Sequence, residues 1–588
     1  MRYRTELLLL VASCGFLLFY GLGSFGLVGA DEPRYAQVAR EMLDRHDWIT
    51  PTINGKPWLE KPPLYYWQAI AADYVVRTFS SAPQDHAGQP LPPAPEGRVG
   101  RTLFSAPDGR AEQAARFPGA LDAALLVVAI YFFLRHRKKN DPRPQPSSEV
   151  DAALIVASSA GIIAFAHAAA TDMPLTATFT IALLAWFSWY ERRRPLALAL
   201  FYFFLALGTL AKGPIAPVLA AVIVTLFAAL RRDWRALQRT LWLPGIALFL
   251  AVSLPWYIAV QFRNPDFFRV FILQHNLARF STNLYNHPQP FWFYLPVFAL
   301  ATMPWTLWLI LALVERLRLI WRERHEAFTS PDDAWPLFLL IWIAIPILFF
   351  SVSQSKLPGY ILPSVPAAAL LIADYLAAHR ESEALSAHRK PENKLSPPLA
   401  IAHAILCGLL IFAALIAPSI AVTHHLTLNH ATYIAAAIAA FFTLAIAAAL
   451  LTRNGPRLLR EATLLAVVVS VAAIIRLAAP IIDATQSSRP VAETIQAFSR
   501  EPVPVALYHV SRLQQYGLDF YLNRPTQTYE TLEAPGQVPL QGRIPAEAHV
   551  LLAAPGTGPQ FTTLLSGRKV AYLTSIPAQK LELYWIGK

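Results

Sequence analysis

The stretch from Asp31 to Ala71, DEPRYAQVAREMLDRHDWITPTINGKPWLEKPPLYYWQAIA, opens with two acids where an apolar run ends and continues with Arg34, Glu60 and Lys61. More ionisable side chains stand at the ends of later apolar runs: Asp172, Lys212, Arg269, His275, Arg279 and Lys356. A carboxylate can accept a proton as general base. Arg can grip a phosphate through two parallel N–H donors, and Lys acts on it as a point charge. Such groups gathered where lipid meets water suit a substrate that is itself a lipid with an anionic head. A passive membrane anchor has no use for charges placed this way.

These side chains must be positioned by a membrane-embedded scaffold, a mainly α, polytopic protein. Of 588 residues, 55% are hydrophobic and only 15% charged, well away from the average soluble protein. Apolar runs of about 20 residues recur, long enough as helix to cross about 30 Å of hydrocarbon, and they are continuous rather than alternating as barrel strands would be. Thirteen crossings are expected, near 5–29, 117–134, 151–169, 174–190, 195–210, 214–230, 240–260, 296–314, 335–351, 360–378, 399–419, 432–452 and 462–480. Lys and Arg concentrate in alternate connections: Arg135–Lys139, Arg192–Arg194, Arg231–Arg239, Arg316–Arg324, Arg380–Lys394 and Arg453–Arg460. The positive-inside rule puts these, with Arg2 and Arg4, in the cytoplasm and the tail beyond Pro480 outside.

The net charge of +12 is then topology, and no nucleic-acid partner is expected, since basic patches interleaved with aromatics are absent. The first apolar run exceeds the core of about 7 to 15 residues usual for a cleaved signal. Cys14 and Cys407 lie in apolar segments, which excludes an external disulfide framework. Inside the crossings Asp122 and His403 stand out, because a charge at the bilayer centre costs about 2.5–3.5 kcal/mol unless paired.

Three external segments are large: 30–116, 261–295 and 481–588. In the first, Tyr35, Val38 and Met42 share a helical face while Arg34, Gln37, Arg40 and Glu41 lie elsewhere, the pattern of a helix resting in the membrane interface. A second such helix is expected after Pro63, with Tyr66, Ile70 and Tyr74 in register, followed by a flexible insert at about 80–110 rich in Pro, Gly and Ser. The tail, 481–588, is expected as a small α/β domain: strand PVALYHV, helix RLQQYGLDFYL, strand AEAHVLLAA, helix PQFTTLLSG, then strands KVAYLT and LELYWI. Residues 1–480 form the membrane domain.

The motifs DEPRYA, EKPPLYYW, ATDMPLT, TLAKGP, DFFRVFILQHNLARF, FWFYLPV and SKLPGYILPSVPA, in this order and spacing, resemble those of bacterial lipid A aminoarabinose transferases, within the protein O-mannosyltransferase-like integral-membrane GT-C glycosyltransferases. The likeness runs from residue 1 to about 380 and is specific as a set. It implies a GT-C fold and transfer of a sugar from a polyprenyl-phosphate donor to an external lipid or protein acceptor, with inversion at the anomeric carbon.

By the same resemblance Asp31, Asp172 and Glu60 are catalytic candidates, and Arg34, Lys61, Lys212, Arg279, Lys356 and Tyr360 bind the donor phosphate. Asp31 would take the acceptor's proton if that acceptor is a hydroxyl, or orient it if it is a phosphate. Glu60 and His275 match a pair that holds a divalent metal ion in relatives, and two ligands leave the rest of the shell to water or substrate. The ordinary alternatives are plain. Asp31 and Glu32 could serve only as acids favoured at a helix N-terminus, Asp172 as a turn acid, and Lys212 and Lys356 as snorkelling anchors. This chain departs from the aminoarabinose transferases in its double proline after Lys61 and its longer insert, which leaves the acceptor open. Two rival functions remain: a same-fold transferase modifying O-antigen or polysaccharide, and a transporter or flippase for lipid-linked sugar.

Overall fold

Every expected crossing contains helix in the computed structural model, which describes all residues except 1, 81–108, 141–148, 279–288, 324–329, 331–332, 386–394, 424, 426, 453, 499–501, 530–544, 559–564, 566 and 588. Arg279, most of the insert expected at 80–110 and most of the expected tail helix PQFTTLLSG lie outside the described residues.

The first half of the bundle comprises α1 (Arg2–Phe19), α4 (Arg110–Asn140), α5 (Glu149–Ala157), α6 (Ala160–Ala166), α7 (Asp172–Arg192), α8 (Pro195–Lys212), α9 (Ile215–Leu230) and α11 (Leu243–Arg263), with α2 (Asp31–Asp44), α3 (Leu64–Ser80) and the short α10 (Trp234–Thr240) in the connections. The second half comprises helices Tyr294–Ala301, Thr306–Glu323, Ala334–Val352, Val365–Leu385, Pro397–Thr423, His430–Leu450 and Gly455–Ala473. Among the described residues eight helices are long and apolar enough to cross a membrane, or ten if each of two bent pairs is one span. On that measure thirteen is not reached: α1 carries Arg2, Arg4 and Glu6, and α9 has only 16 residues.

Three expected spans differ in detail. The helix expected at 5–29 stops at Phe19, because Gly21 adopts φ +82° and a Cβ there would meet Ile475 at 2.6 Å, a left-handed position that favours glycine. The span at 151–169 bends by 60° between α5 and α6. There Ser158 and Ser159 donate their hydroxyls back to Leu154 O and Ile155 O at 2.6 and 2.7 Å, a pattern that bends helices. The span at 296–314 turns by 117° between Ala301 and Thr306, where Pro304 cannot donate to the ladder.

Contacts sort the helix ends onto two faces. On one, Arg137 pairs with Glu191 at 2.9 Å, Lys138 with Glu149 at 3.7 Å, Arg193 with Asp233 at 3.6 Å and Arg460 with Asp151 at 2.7 Å. On the other lie α2, α3, the end of α11 and the tail. Two ionisable groups that stood out inside the expected crossings, Asp122 and His403, are buried and hydrogen-bonded as lipid demands. Gln68 Nε2 donates to Asp122 at 3.0 Å, and His403 accepts from Trp308 Nε1 at 3.1 Å while its other nitrogen meets Thr463 Oγ1 at 2.8 Å.

The tail holds a five-stranded sheet in the order β4 (Gln527–Thr528), β3 (Val505–Tyr508), β5 (His549–Ala553), β7 (Leu581–Ile586), β6 (Val570–Ile576). β3 pairs in parallel with β4 and β5, and the β5·β7 and β6·β7 pairs are antiparallel. Val491, Ile495 and Leu518 from helices Arg489–Phe498 and Arg512–Tyr521 pack on Val505, Leu507, Val550 and Leu552. The sheet expected in the tail is present; β4 and helix Arg489–Phe498 were not foreseen.

The first external segment corrects the interfacial reading. α2 buries ten of its 14 residues, including Gln37 and Arg40, so its polar face is not open to water. It lies against α3 through Tyr35, Tyr65 and Tyr66 and against the tail, where Arg40 Nη1 donates to Phe520 O at 2.7 Å and Asn523 Oδ1 at 3.0 Å. On α3, Tyr66 and Ile70 are buried as expected, but Tyr74 is 53% exposed.

Candidate active site

The two acids that open α2 have separate fates. Neither caps the helix: Ala30 is the N-cap, without a side-chain cap bond, although both sit at the positive end of the dipole. Glu32 turns inward and pairs with the fully buried Arg116, Oε2 to Nη2 at 2.7 Å, while accepting from the Val28 and Ala169 amides at 2.9 and 2.8 Å. Arg116 also donates to Leu22 O, Phe25 O and Gly26 O at 2.8–2.9 Å. That knot ties the start of α2 to the loop after α1. Asp31 points the other way, more than half exposed, and pairs with Arg34 one turn on.

Asp172 and Lys212 come together because a helical hairpin folds them so. α7 has 21 residues and α8 has 18, joined by Arg193 and Arg194, so the first residue of one helix lies beside the last of the other. Lys212 Nζ donates to Asp172 Oδ1 at 2.5 Å, each charge at the helix end its dipole favours. Lys212 Nζ also lies 4.8 Å from the centroid of the Tyr360 ring. The SKLPGY turn closes over the pair so tightly that a Cβ on Gly359 would sit 2.5 Å from Asp172 Oδ1, which is why glycine stands there. Tyr294 OH donates to Leu357 O at 3.2 Å. Lys356 is buried and donates to Ser353 O at 2.6 Å, one carbonyl for an ammonium with three donors.

Glu60 Oε1 lies 3.6 Å from His275 Nε2. Glu60 and Lys61 follow the hairpin of β1 (Thr52–Ile53) and β2 (Lys56–Pro57), which Glu41 shapes by accepting from Thr52 Oγ1, Asn54 N and Gly55 N at 2.7, 2.6 and 3.1 Å. His275 is on the π-helix Arg269–Ala278, whose Phe271 packs on Gly213, next to Lys212. Lys61 is half-buried beside Glu60. Arg269 lies apart, exposed and paired with Asp266 at 2.9 Å.

Electrostatics join the two halves. Burial raises Tyr35 well above an ordinary phenol, and both Asp31 and Asp172 push it further. Burial, then Glu60, raises Tyr66, with Asp31 adding to it. Both phenols therefore stay protonated among the carboxylates. Burial opposes the charge on Arg34, but Asp31, Tyr35, Glu60 and Tyr516 outweigh it and raise its pKa. These links run through Asp31, Arg34, Glu60 and His275 and through Asp172, Lys212 and Tyr360, while Lys356, in the SKLPGY turn, bonds to Ser353 O. Among the described residues no group of three or more His, Cys, Asp or Glu could hold a metal ion. Arg116, Tyr35 and Tyr66 were not expected at the site, because the partner of Arg116 lies far along the chain and the two rings read as the apolar faces of interfacial helices.

Residues 101–258 match the family model described as dolichyl-phosphate-mannose-protein mannosyltransferase. The undecaprenyl phosphate-alpha-4-amino-4-deoxy-L-arabinose arabinosyl transferase of Pseudomonas paraeruginosa is 32% identical over 396 residues, 66% of this chain and 62% of that protein. The Pseudomonas aeruginosa protein of the same name is 32% identical over 379 residues, 63% of this chain and 59% of its own length. The match spans about three fifths of these relatives' length. Among solved structures, ArnT from Cupriavidus metallidurans bound to undecaprenyl phosphate superposes with a TM-score of 0.69 at 19% identity, covering 98% of this chain and 97% of that one. Its apo state gives 0.69 at 20% identity, covering 100% and 98%. The fold is shared, and the resemblance read from the motifs holds: the chain is a multi-pass membrane protein similar to the aminoarabinose transferases.

Proposed function

We propose that this chain, similar to the aminoarabinose transferases in sequence and sharing the ArnT fold, is a glycosyltransferase that moves a sugar from a polyprenyl-phosphate donor to an acceptor outside the cytoplasmic membrane, with inversion. The observation that carries this is two opposite-charge pairs, Asp31–Arg34 and Asp172–Lys212, whose carboxylates both act on the Tyr35 phenol, at the end of the bundle away from the Lys- and Arg-rich loops. The positive-inside rule supports placing those loops in the cytoplasm and the site and tail in the periplasm.

An acceptor oxygen attacks the anomeric carbon; that C–O bond forms as the bond to the phosphate oxygen breaks, and the phosphate leaves with the electron pair. Lys212, Lys356, Lys61 and Arg34 meet its charge, with the Tyr360 hydroxyl as a further donor; Arg279 is assigned the same role from the resemblance alone. A hydroxyl acceptor gives its proton to Asp31, which is exposed enough to reach it. A phosphate acceptor carries no such proton, and Asp31 then orients it. Glu60 and His275 would supply two ligands to a divalent ion that neutralises phosphate charge, with the others from water or substrate.

The relatives' names make undecaprenyl-phosphate aminoarabinose the first donor to test, and the resemblance of the motifs makes lipid A the first acceptor. A same-fold enzyme of O-antigen or polysaccharide modification would share the donor half, and mass spectrometry of envelope lipids, glycans and proteins with and without this chain separates the two. A transporter would place its ionisable groups near mid-membrane on broken helices in repeated halves, whereas the grouped charges here lie at one end. Transfer of labelled sugar from the donor in detergent tests the proposal; movement of that lipid across sealed vesicles without transfer would replace it with a flippase.

A further inference from the structure

Arg34 is held in a way the catalytic reading does not use. Its guanidinium carbon lies 5.1 Å from the ring centroid of Trp58 and 5.2 Å from that of Tyr516, both within the range of a cation–π contact. Trp58 belongs to the loop between the β1–β2 hairpin and Glu60. Tyr516 comes from the tail, more than 480 positions along the chain. Arg34 Nε is buried and has no hydrogen-bond partner among the described residues, a donor left over for an acceptor oxygen such as that of a phosphate.

The tail holds Tyr516 there by a second contact of the same kind. Helix Arg512–Tyr521 begins at Ser511, whose hydroxyl caps it, and one turn beyond Tyr516 the Phe520 ring lies 4.1 Å from the Arg40 guanidinium carbon. Two arginines of α2 thus meet two aromatics of the tail helix in the same order. The C-terminal end of that helix is pinned as well. Asp519 accepts from Asn54 Nδ2 at 2.9 Å, and Tyr521 OH accepts from Leu27 N at 2.7 Å and bonds to Glu112 Oε1 at 2.8 Å. Arg40 turns Nη1 to Phe520 O, Asn523 Oδ1 and Gln37 Oε1. Arg34 keeps Asp31 and an uncommitted Nε–H.

We propose that Tyr516 is a positioning residue of the donor-phosphate site: the tail domain lends its ring to hold Arg34, with Trp58, in the orientation that meets the phosphate. This rests on the donor-site reading above. It gives the tail a part in donor binding beyond covering the loop, because anything that shifts helix Arg512–Tyr521 shifts a cation of the site.

The test is binding of a sugar-free polyprenyl monophosphate to the full-length protein in detergent, with thermal unfolding measured on each variant. Tyr516→Ala should weaken binding about fivefold, the scale of one partly buried cation–π contact, without lowering the unfolding temperature. Tyr516→Phe should bind as the native protein does, and Tyr516→Leu should not. In an Arg34→Ala background Tyr516→Ala should cost nothing more, since the ring acts only through that guanidinium. Native affinity in Tyr516→Ala, equal affinities in the Phe and Leu variants, or full additivity with Arg34→Ala would each overturn the inference and leave the donor-site reading standing. Failure of the native protein to bind the lipid at all would overturn that reading, and this inference with it.

Discussion

At the scale of single residues, adjacent acids do unrelated work, and their side chains predict opposite phenotypes. Asp31→Asn should reduce transfer by about 100-fold or more, the usual worth of a positioned base, with unfolding unchanged because the side chain is largely exposed. Glu32→Gln should do the reverse of this in stability. It removes the charge opposite a fully buried Arg116, and breaking a buried pair from one side costs about 3–5 kcal/mol. Turnover and thermal unfolding of the two variants, measured side by side, check the division. Lys61→Ala should raise the donor KM about tenfold, a loss of ~1.4 kcal/mol, and leave the acceptor KM alone; donor and acceptor titrations decide it. If Glu60 and His275 hold a divalent ion, chelator should abolish turnover and added metal restore it. Full turnover after dialysis against chelator would assign the pair to a direct ion pair only.

At the scale of elements, the site depends on three packed joints: the α7–α8 hairpin, the SKLPGY turn and the contact of α2 with the tail helix. Gly359→Ala drives a Cβ into Asp172 and Phe165. It should cost about 100-fold in transfer, as a displacement of about 1 Å can, while leaving the distant tail folded. Arg40→Ala strands Phe520 O and Asn523 Oδ1; lost charged hydrogen bonds of about 1.5–3 kcal/mol each should speed hydrogen exchange across 512–521. Slow, native-like exchange there would mean that the tail is held by its other anchors. These joints also mark what the sequence disclosed. Continuous apolar runs announce the helices, and the short Arg193–Arg194 connection makes the meeting of Asp172 and Lys212 readable in principle. Glu32 and Arg116 lie 84 residues apart, and Arg40 and Phe520 lie 480 apart, so no local periodicity carries either pairing. The face of α2 read as lying open in the interface is the face that Arg40 and Gln37 bury beneath the tail.

At the scale of the whole molecule, charge separates the two ends of the bundle. Basic loops pair among themselves at one end, and mixed acids and cations gather at the other, beneath the tail. The exposed Lys138 and Lys580 mark these ends. In intact spheroplasts an impermeant thiol reagent should label Lys580→Cys and reach Lys138→Cys only after permeabilisation; the opposite pattern would invert the topology. Most of the fold was legible because a lipid-spanning chain must write its helices as apolar runs. Its bends were not, because they arise from hydroxyls turned back on their own carbonyls at Ser158 and Ser159 and from Pro304. The measurement that bears most directly on the proposed chemistry is single-turnover transfer from labelled polyprenyl-phosphate aminoarabinose to lipid A by purified native protein and Asp31→Asn. Labelled lipid A should form with the native chain and fall by about 100-fold with the variant, the cost of misplacing a phosphate acceptor that Asp31 orients. Equal transfer by both, or label that crosses sealed vesicles without ever leaving its prenol carrier, would contradict a transferase centred on Asp31.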